Sequence, residues 1–269
     1  MWWCIIFLRF DRLEQKAQEL LPPKLQSRKF APREPLVHAI DGSGGAWFGK
    51  ERSNGRGAFL SESSETLIKG GDKMDLKKHE ELLKKLQTEY PTAILDGATD
   101  NKEWSKLPKE QRILWILKEV NDYAGDLRSL LDPTELCGYS KWQATYGLIA
   151  KVSYGILTGK WVEDADRLVK DEKVLQKIAV INVNKLGGTN RTNQQNLAEA
   201  AEEFHDIILK QIELLDPDII ILGGVKNVLS KWLPDNDAKR KWIIADHPGQ
   251  TKITHKEYYD KVVNYSEEV

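Results

Sequence analysis

The chain has 269 residues, 41% apolar and 30% charged, the balance of an ordinary soluble globular protein. Its formal net charge of −1 gives no global basic field, so any contact with nucleic acid rests on a local patch. Two cysteines, Cys4 and Cys137, are too few for a disulfide framework, a four-cysteine zinc site or a four-cysteine iron–sulfur site, and they suit a reducing cytoplasm.

In chain order, the apolar start Trp2–Leu8 is too short for a membrane span and lacks the basic lead-in of a signal peptide. Residues 1–73 are punctuated by Pro22, Pro23, Pro32 and Pro35, then by Gly42-Ser43-Gly44-Gly45 and Asn54-Gly55-Arg56-Gly57. Only Arg12–Leu21 has the pattern of a short helix. The junction reads Lys69-Gly70-Gly71-Asp72-Lys73-Met74. Lys-Gly-Gly can be encoded AAA-GGA-GGA, a purine-rich ribosome-binding sequence a few bases ahead of a Met codon. Residues 1–73 therefore read either as a translated leader before a start at Met74 or as a disordered natural extension. Residues 74–269 read as one domain, with 28 Lys/Arg against 32 Asp/Glu.

Within that domain, Leu76, Leu82, Leu83, Leu86 and Tyr90 share one face of a charged helix over 74–90. Ile113–Leu117 is a continuous apolar run of strand length, as expected of a strand buried on both faces of a parallel sheet. Ile178–Val183, Asp218–Leu222 and Trp242–Ala245 are three more such runs. Between them, Trp142, Tyr146, Ile149, Val152 and Ile156 recur at helical spacing, Asp164–Lys177 carries Leu168 and Leu175, and Gln195–Leu215 shows the clearest stripe, stopped by Pro217. A short helix after Gly224 and one over Lys256–Tyr265 complete the set. Strands alternating with helices predict an α/β fold: three layers, α/β/α, around a central, mainly parallel four-stranded sheet.

Ligands of open α/β sheets bind beyond the carboxyl ends of the strands, which points to Lys118–Arg128, Asn184–Asn193, Gly223–Gly224 and Asp246–Gln250. In the first loop Glu119 follows the strand directly, where a carboxylate can orient or deprotonate water. Asn121 and Asp122 add polar groups there, and Asp126 reads as the cap of a following helix. In the second loop Lys185 and Arg191 flank Gly187-Gly188, a pair suited to phosphates, and Asn182 has the donor–acceptor edge that reads a base. Asn193 or Thr192 suits a helix cap. In the fourth, His247 precedes Pro248 and is therefore rigidly presented. His38, His79, His205 and His255 have no such setting and read as solvated or packed. With no His-x-x-x-His pair and no cysteine partner, no metal site is expected.

Together these loops resemble the uracil-DNA glycosylase superfamily, most nearly the bacterial and archaeal branch whose best-known members carry an iron–sulfur cluster. Leu117-Lys118-Glu119-Val120-Asn121 stands where that branch has a strand followed by Gly-Glu-Ala-Pro-Gly. Asn182-Val183-Asn184-Lys185 and Asn190-Arg191 echo Asn-x-x-Lys-Cys-Arg-Pro-Pro-x-Asn-Arg. Gln211-Ile212, Pro217, Ile220 and Leu222-Gly223 keep the family's next spacing, and His247-Pro248-Gly249 matches His-Pro-Ser. The resemblance covers about 190 residues and implies that Glu119 positions the attacking water and His247 donates to the departing base. It further implies that Asn182 recognises a flipped base, that Lys185, Asn190 and Arg191 contact phosphates, and that Tyr123 is the nearest counterpart of the stacking aromatic. Asn121, Asp122 and Lys118 fall in the substrate loop. The sequence departs from the pattern at Lys118, at Val120-Asn121 and at Gly249, and it lacks the cluster cysteines. No iron–sulfur cluster or other cofactor is expected. DNA is the expected partner, or a free nucleotide or nucleoside derivative if the domain is a relative outside DNA repair. No membrane partner is expected, and no residue pattern sets an oligomeric state.

Overall fold

The computed structural model describes residues 75–267 other than 122, 124, 139–140, 189–191 and 234–236. The questions raised over residues 1–73 and Met74 lie outside the described residues, as does the suggested helix at Arg12–Leu21. The described part belongs to the second of two units, Leu60–Val269.

Four apolar runs form the parallel strands β2 (Ile113–Leu117), β3 (Ala179–Asn182), β4 (Ile219–Gly223) and β5 (Lys241–Ala245), and Gly97–Ala98 adds an antiparallel edge, β1. The sheet order is β1-β3-β2-β4-β5. The expected count of four strands is therefore corrected to five. A two-residue edge carries no periodicity from which a sequence can reveal it.

Side chains alternate across the sheet. Ile113, Trp115 and Leu117 face one core, and Leu114 and Ile116 the other. Helices cover both faces, and the strand order dictates which. From β2 the chain crosses to β3 on one side, then passes back over β2 to β4 on the other. Right-handed crossovers in opposite directions place their helices on opposite faces. Accordingly α5 (Leu148–Thr158) and α6 (Ala165–Lys170), from the first crossover, pack on the Trp115 face. The long helix α7 (Gln194–Leu215), from the second, packs on the Ile116 face. Helix α8 (Lys226–Leu229) continues in the same direction and lies on the same face as α7. The first helix, α1 (Leu76–Glu89), joins that face, and the last, α9 (His255–Glu267), packs against α5 and β5.

Local signals set the helix ends. Asn193 caps α7 through the N–H groups of Gln195 and Asn196. Asp126 caps the short α3 (Leu127–Leu130) and also pairs with Arg128, the structural role expected of it. Two helices differ from the periodicity. The 164–177 stretch breaks after Lys170, because Lys173 takes a left-handed conformation (φ 51°) before a 3-10 turn at Val174–Lys177. The 142–156 stretch begins as a π-helical turn, Gln143–Gly147, before α5. Two short helices, α2 (Asn101–Lys106) and α4 (Pro133–Leu136), lie in segments where none was expected. Among the described residues no helix is long and apolar enough to cross a membrane.

Candidate functional site

Strand β2 is where the connections diverge, to β3 on one side and β4 on the other, so its carboxyl end is the switch point of the sheet. Lys118 and Glu119 leave the sheet there. The loop after β3 stays zipped to them: Val183 N donates to Leu117 O (2.8 Å), Asn184 N to Lys118 O (2.9 Å) and Gly188 N to Val120 O (2.8 Å). A Cβ on Gly188 would stand 2.2 Å from Glu119 Cδ. Glycine at 188 is thus what allows the carboxylate to lie against this loop.

Asn184 Nδ2 donates to Glu119 Oε2 at 3.3 Å, while Glu119 Oε1 is buried with no partner among the described residues. Buried carboxylate oxygens are ordinarily hydrogen-bonded, so Glu119 Oε1 is placed to accept from a water or a substrate hydroxyl. His247, at the end of β5, accepts the N–H of Gly249 at Nδ1 (3.1 Å). Burial, reinforced by the Lys118 ammonium, lowers its pKa from 6.5 to about 4. At neutral pH the ring is therefore uncharged, and with Nδ1 accepting, its proton sits on Nε2.

Two adjoining cavities meet at these groups. One, of about 260 Å³, is walled by the rings of Tyr123, Trp142 and Tyr146 with Leu117, Leu130 and Leu136, and Asn182 and Lys141 also line it. An apolar cavity of about 150 Å³ holds a benzene ring, so this one has room for a nucleobase. The other, of about 330 Å³, is lined by Lys118, Thr192, Gly249 and Gln250. Glu119, Asn121, Thr145 and His247 line both.

The structure thus brings together Glu119, His247, Asn182, Asn121, Tyr123 and Lys118. Tyr123 presents its ring to the first cavity while its hydroxyl donates to Asp126 O (2.8 Å). Asp122, Asn190 and Arg191 lie outside the described residues. Lys185 is not at the surface, which corrects its assignment to phosphate. Its side chain is fully buried, and Nζ donates to Asp96 Oδ1 and Oδ2 (2.9 and 3.1 Å) and to Gln211 Oε1 (2.6 Å). Burial pushes the ammonium below its ordinary pKa and Asp96 pushes back. Asp96 also accepts the Asn182 backbone N–H (2.7 Å) and Gln211 Nε2 (3.0 Å), so this ion pair ties the end of β3 to α7.

The departure from the family pattern at Gly249 has a packing reason. A Cβ there would stand 2.7 Å from Thr145 Oγ1. Sequence reasoning missed Thr145 and Asp96, and it placed Trp142 and Tyr146 only in a helical stripe. Burial holds the Tyr146 phenol well above its ordinary pKa, so it stays protonated at the cavity wall.

His79 is packed, as expected, against Gln211, and burial lowers its pKa to about 4 as well, against the opposing pull of Asp96 and Glu80. Above pH 6.5 neither His79 nor His247 is protonated in the folded or the unfolded chain. Between 6.5 and 4 the unfolded chain takes up protons that the folded one refuses, so stability falls as the pH falls. The loss is up to about 1.4 kcal/mol per pH unit for each histidine. Urea midpoints at pH 7.5, 6 and 5 should decline in that order, and a flat series would contradict the burial of both rings.

Among the described residues no group of three or more His, Cys, Asp or Glu is placed to hold a metal ion. No protein-family model and no curated protein matches the chain.

Proposed function

We propose that the domain is an N-glycosylase of the uracil-DNA glycosylase type, which hydrolyses the bond between deoxyribose and uracil or another altered base in DNA. The observation that carries this reading is the meeting of a ring-lined and a polar cavity at Glu119 and His247. A glycosidic bond joins an aromatic base to a polar sugar, and the two cavities divide along the same line.

In this reading the base leaves the duplex stack, because its reacting bond is inaccessible there, and enters between Tyr123, Trp142 and Tyr146. Asn182 meets its hydrogen-bonding edge. Sugar and adjoining phosphate lie beside Lys118, Thr192 and Gln250, with Asn190 and Arg191 as further phosphate contacts by resemblance. As the C1′–N bond breaks, its electron pair departs with the base, and the Nε2–H of neutral His247 donates to the oxygen on which charge develops. Water held by the free Oε1 of Glu119 forms the new bond to C1′ and gives its proton to the carboxylate.

A second reading, a nucleotide- or nucleoside-binding or hydrolysing relative, is favoured by the charge distribution. The domain from Met74 carries 28 Lys/Arg against 32 Asp/Glu, and with Lys185 buried, Lys118 is the lysine lining the polar cavity. The two readings part on products. The full chain is incubated with oligonucleotides bearing uracil, hypoxanthine or xanthine, and separately with the matching deoxynucleotides. Free base from an oligonucleotide is the expected result; products from the mononucleotides alone would transfer the site to the second reading.

A further inference from the structure

We infer that Thr145 is a third residue touching the substrate at the base–sugar junction, beside Glu119 and His247. For its chemistry the inference rests on the proposed glycosylase reading, but the contact itself rests on the cavities.

Thr145 is one of the four residues that line both cavities, and it alone of the four comes from a helix rather than from a strand-end loop. It sits in the π-helical turn Gln143–Gly147. Such turns widen a helix locally and recur at functional sites, because the extra residue swings side chains out of the regular stripe. Here Trp142 precedes the turn, Thr145 and Tyr146 lie in it, and all three line the same cavity. The Thr145 carbonyl accepts the Leu148 N–H inside the helix, whereas its hydroxyl has no hydrogen-bond partner among the described residues.

The opposite wall is shaped to match. Gly249 follows His247-Pro248, and a Cβ on it would lie 2.7 Å from Thr145 Oγ1 and 3.3 Å from His247 Nδ1. A side chain at 249 would therefore collide with the hydroxyl and crowd the imidazole. The loop carrying His247 is closed down on Thr145, so a substrate reaching His247 passes the hydroxyl. At that position the hydroxyl bonds the substrate at the base–sugar junction, and its loss appears in kcat/KM and in the affinity for a nucleotide.

Thr145→Val keeps the branched shape against Gly249 and removes only the hydroxyl, and Thr145→Ser keeps the hydroxyl. Base release from the uracil, hypoxanthine and xanthine oligonucleotides is measured for the full chain and both variants, together with calorimetric titration of dUMP. On whichever oligonucleotide the parent cleaves, Thr145→Val should lower kcat/KM about tenfold, the worth of one hydrogen bond, with Thr145→Ser within about threefold of the parent. If the parent releases no base but binds dUMP, the glycosylase reading fails and the contact is still tested. Thr145→Val should then weaken dUMP about tenfold and Thr145→Ser should retain it. The inference is overturned if Thr145→Val equals the parent wherever the parent is active. It is also overturned if Thr145→Ser falls as far as Thr145→Val, or if the parent neither releases base nor binds dUMP.

Discussion

Replacing Glu119 by Gln should slow base release by about 10²–10⁴-fold, the range set by loss of a positioned general base. The substitution keeps the shape of the side chain, its fit against Gly188 and its contact with Asn184, and removes the charge that takes the proton from water. Because the group acts on water rather than on the base, KM should change little. His247→Ala removes the donor for charge developing on the departing base and should cost about 10²–10³-fold. The histidine donates as a neutral ring with a pKa near 4, so its protonation should not bring the rate down between pH 8 and 6. A rate that falls with a midpoint near 6.5 would show an unburied ring. Should both variants turn over at the parent rate, the mechanism is wrong.

The largest effect on stability should come from Asp96. Its carboxylate is fully buried and meets Lys185, the Asn182 N–H and Gln211. Asp96→Ala strands the Lys185 ammonium in the interior with Gln211 as its remaining partner. Breaking one side of a buried ion pair costs about 3–5 kcal/mol. Removing both charges together, as Asp96→Leu with Lys185→Met, should recover part of that, since a buried pair replaced by apolar groups is often neutral. Urea denaturation of the parent and the two variants reads both effects. An unchanged midpoint for Asp96→Ala would mean that Lys185 finds another partner or reaches water.

What was legible in the sequence follows from how far each signal reaches. The runs Ile113–Leu117 and Asp218–Leu222 stand out because strands buried on both faces have no polar side to interrupt them. The strand-end loops follow from those runs, and with them Glu119, Asn182 and His247. Lys185 was misread because its partners lie 89 residues earlier and 26 residues later, and nothing local distinguishes a buried lysine from a phosphate contact. Trp142 and Tyr146 fit a helical stripe and were placed only there. The π-helical turn that follows Trp142 and carries Thr145 and Tyr146 is a backbone feature and leaves no pattern in composition. The packing reason for Gly249 was not legible because the side chain opposing it, Thr145, is about a hundred residues away in the chain.

The central claim is that a base occupies the ring-lined cavity while its glycosidic bond lies between Glu119 and His247. Single-turnover release of free base by the full chain, with protein in excess over oligonucleotides bearing uracil, hypoxanthine or xanthine, tests it most directly. Free base and an abasic strand are expected from at least one of the three, with the Glu119→Gln/His247→Ala double variant slowed about as much as the worse single one, as expected of residues acting as a unit. Intact oligonucleotides in all three reactions, or release at the parent rate by the double variant, would contradict it.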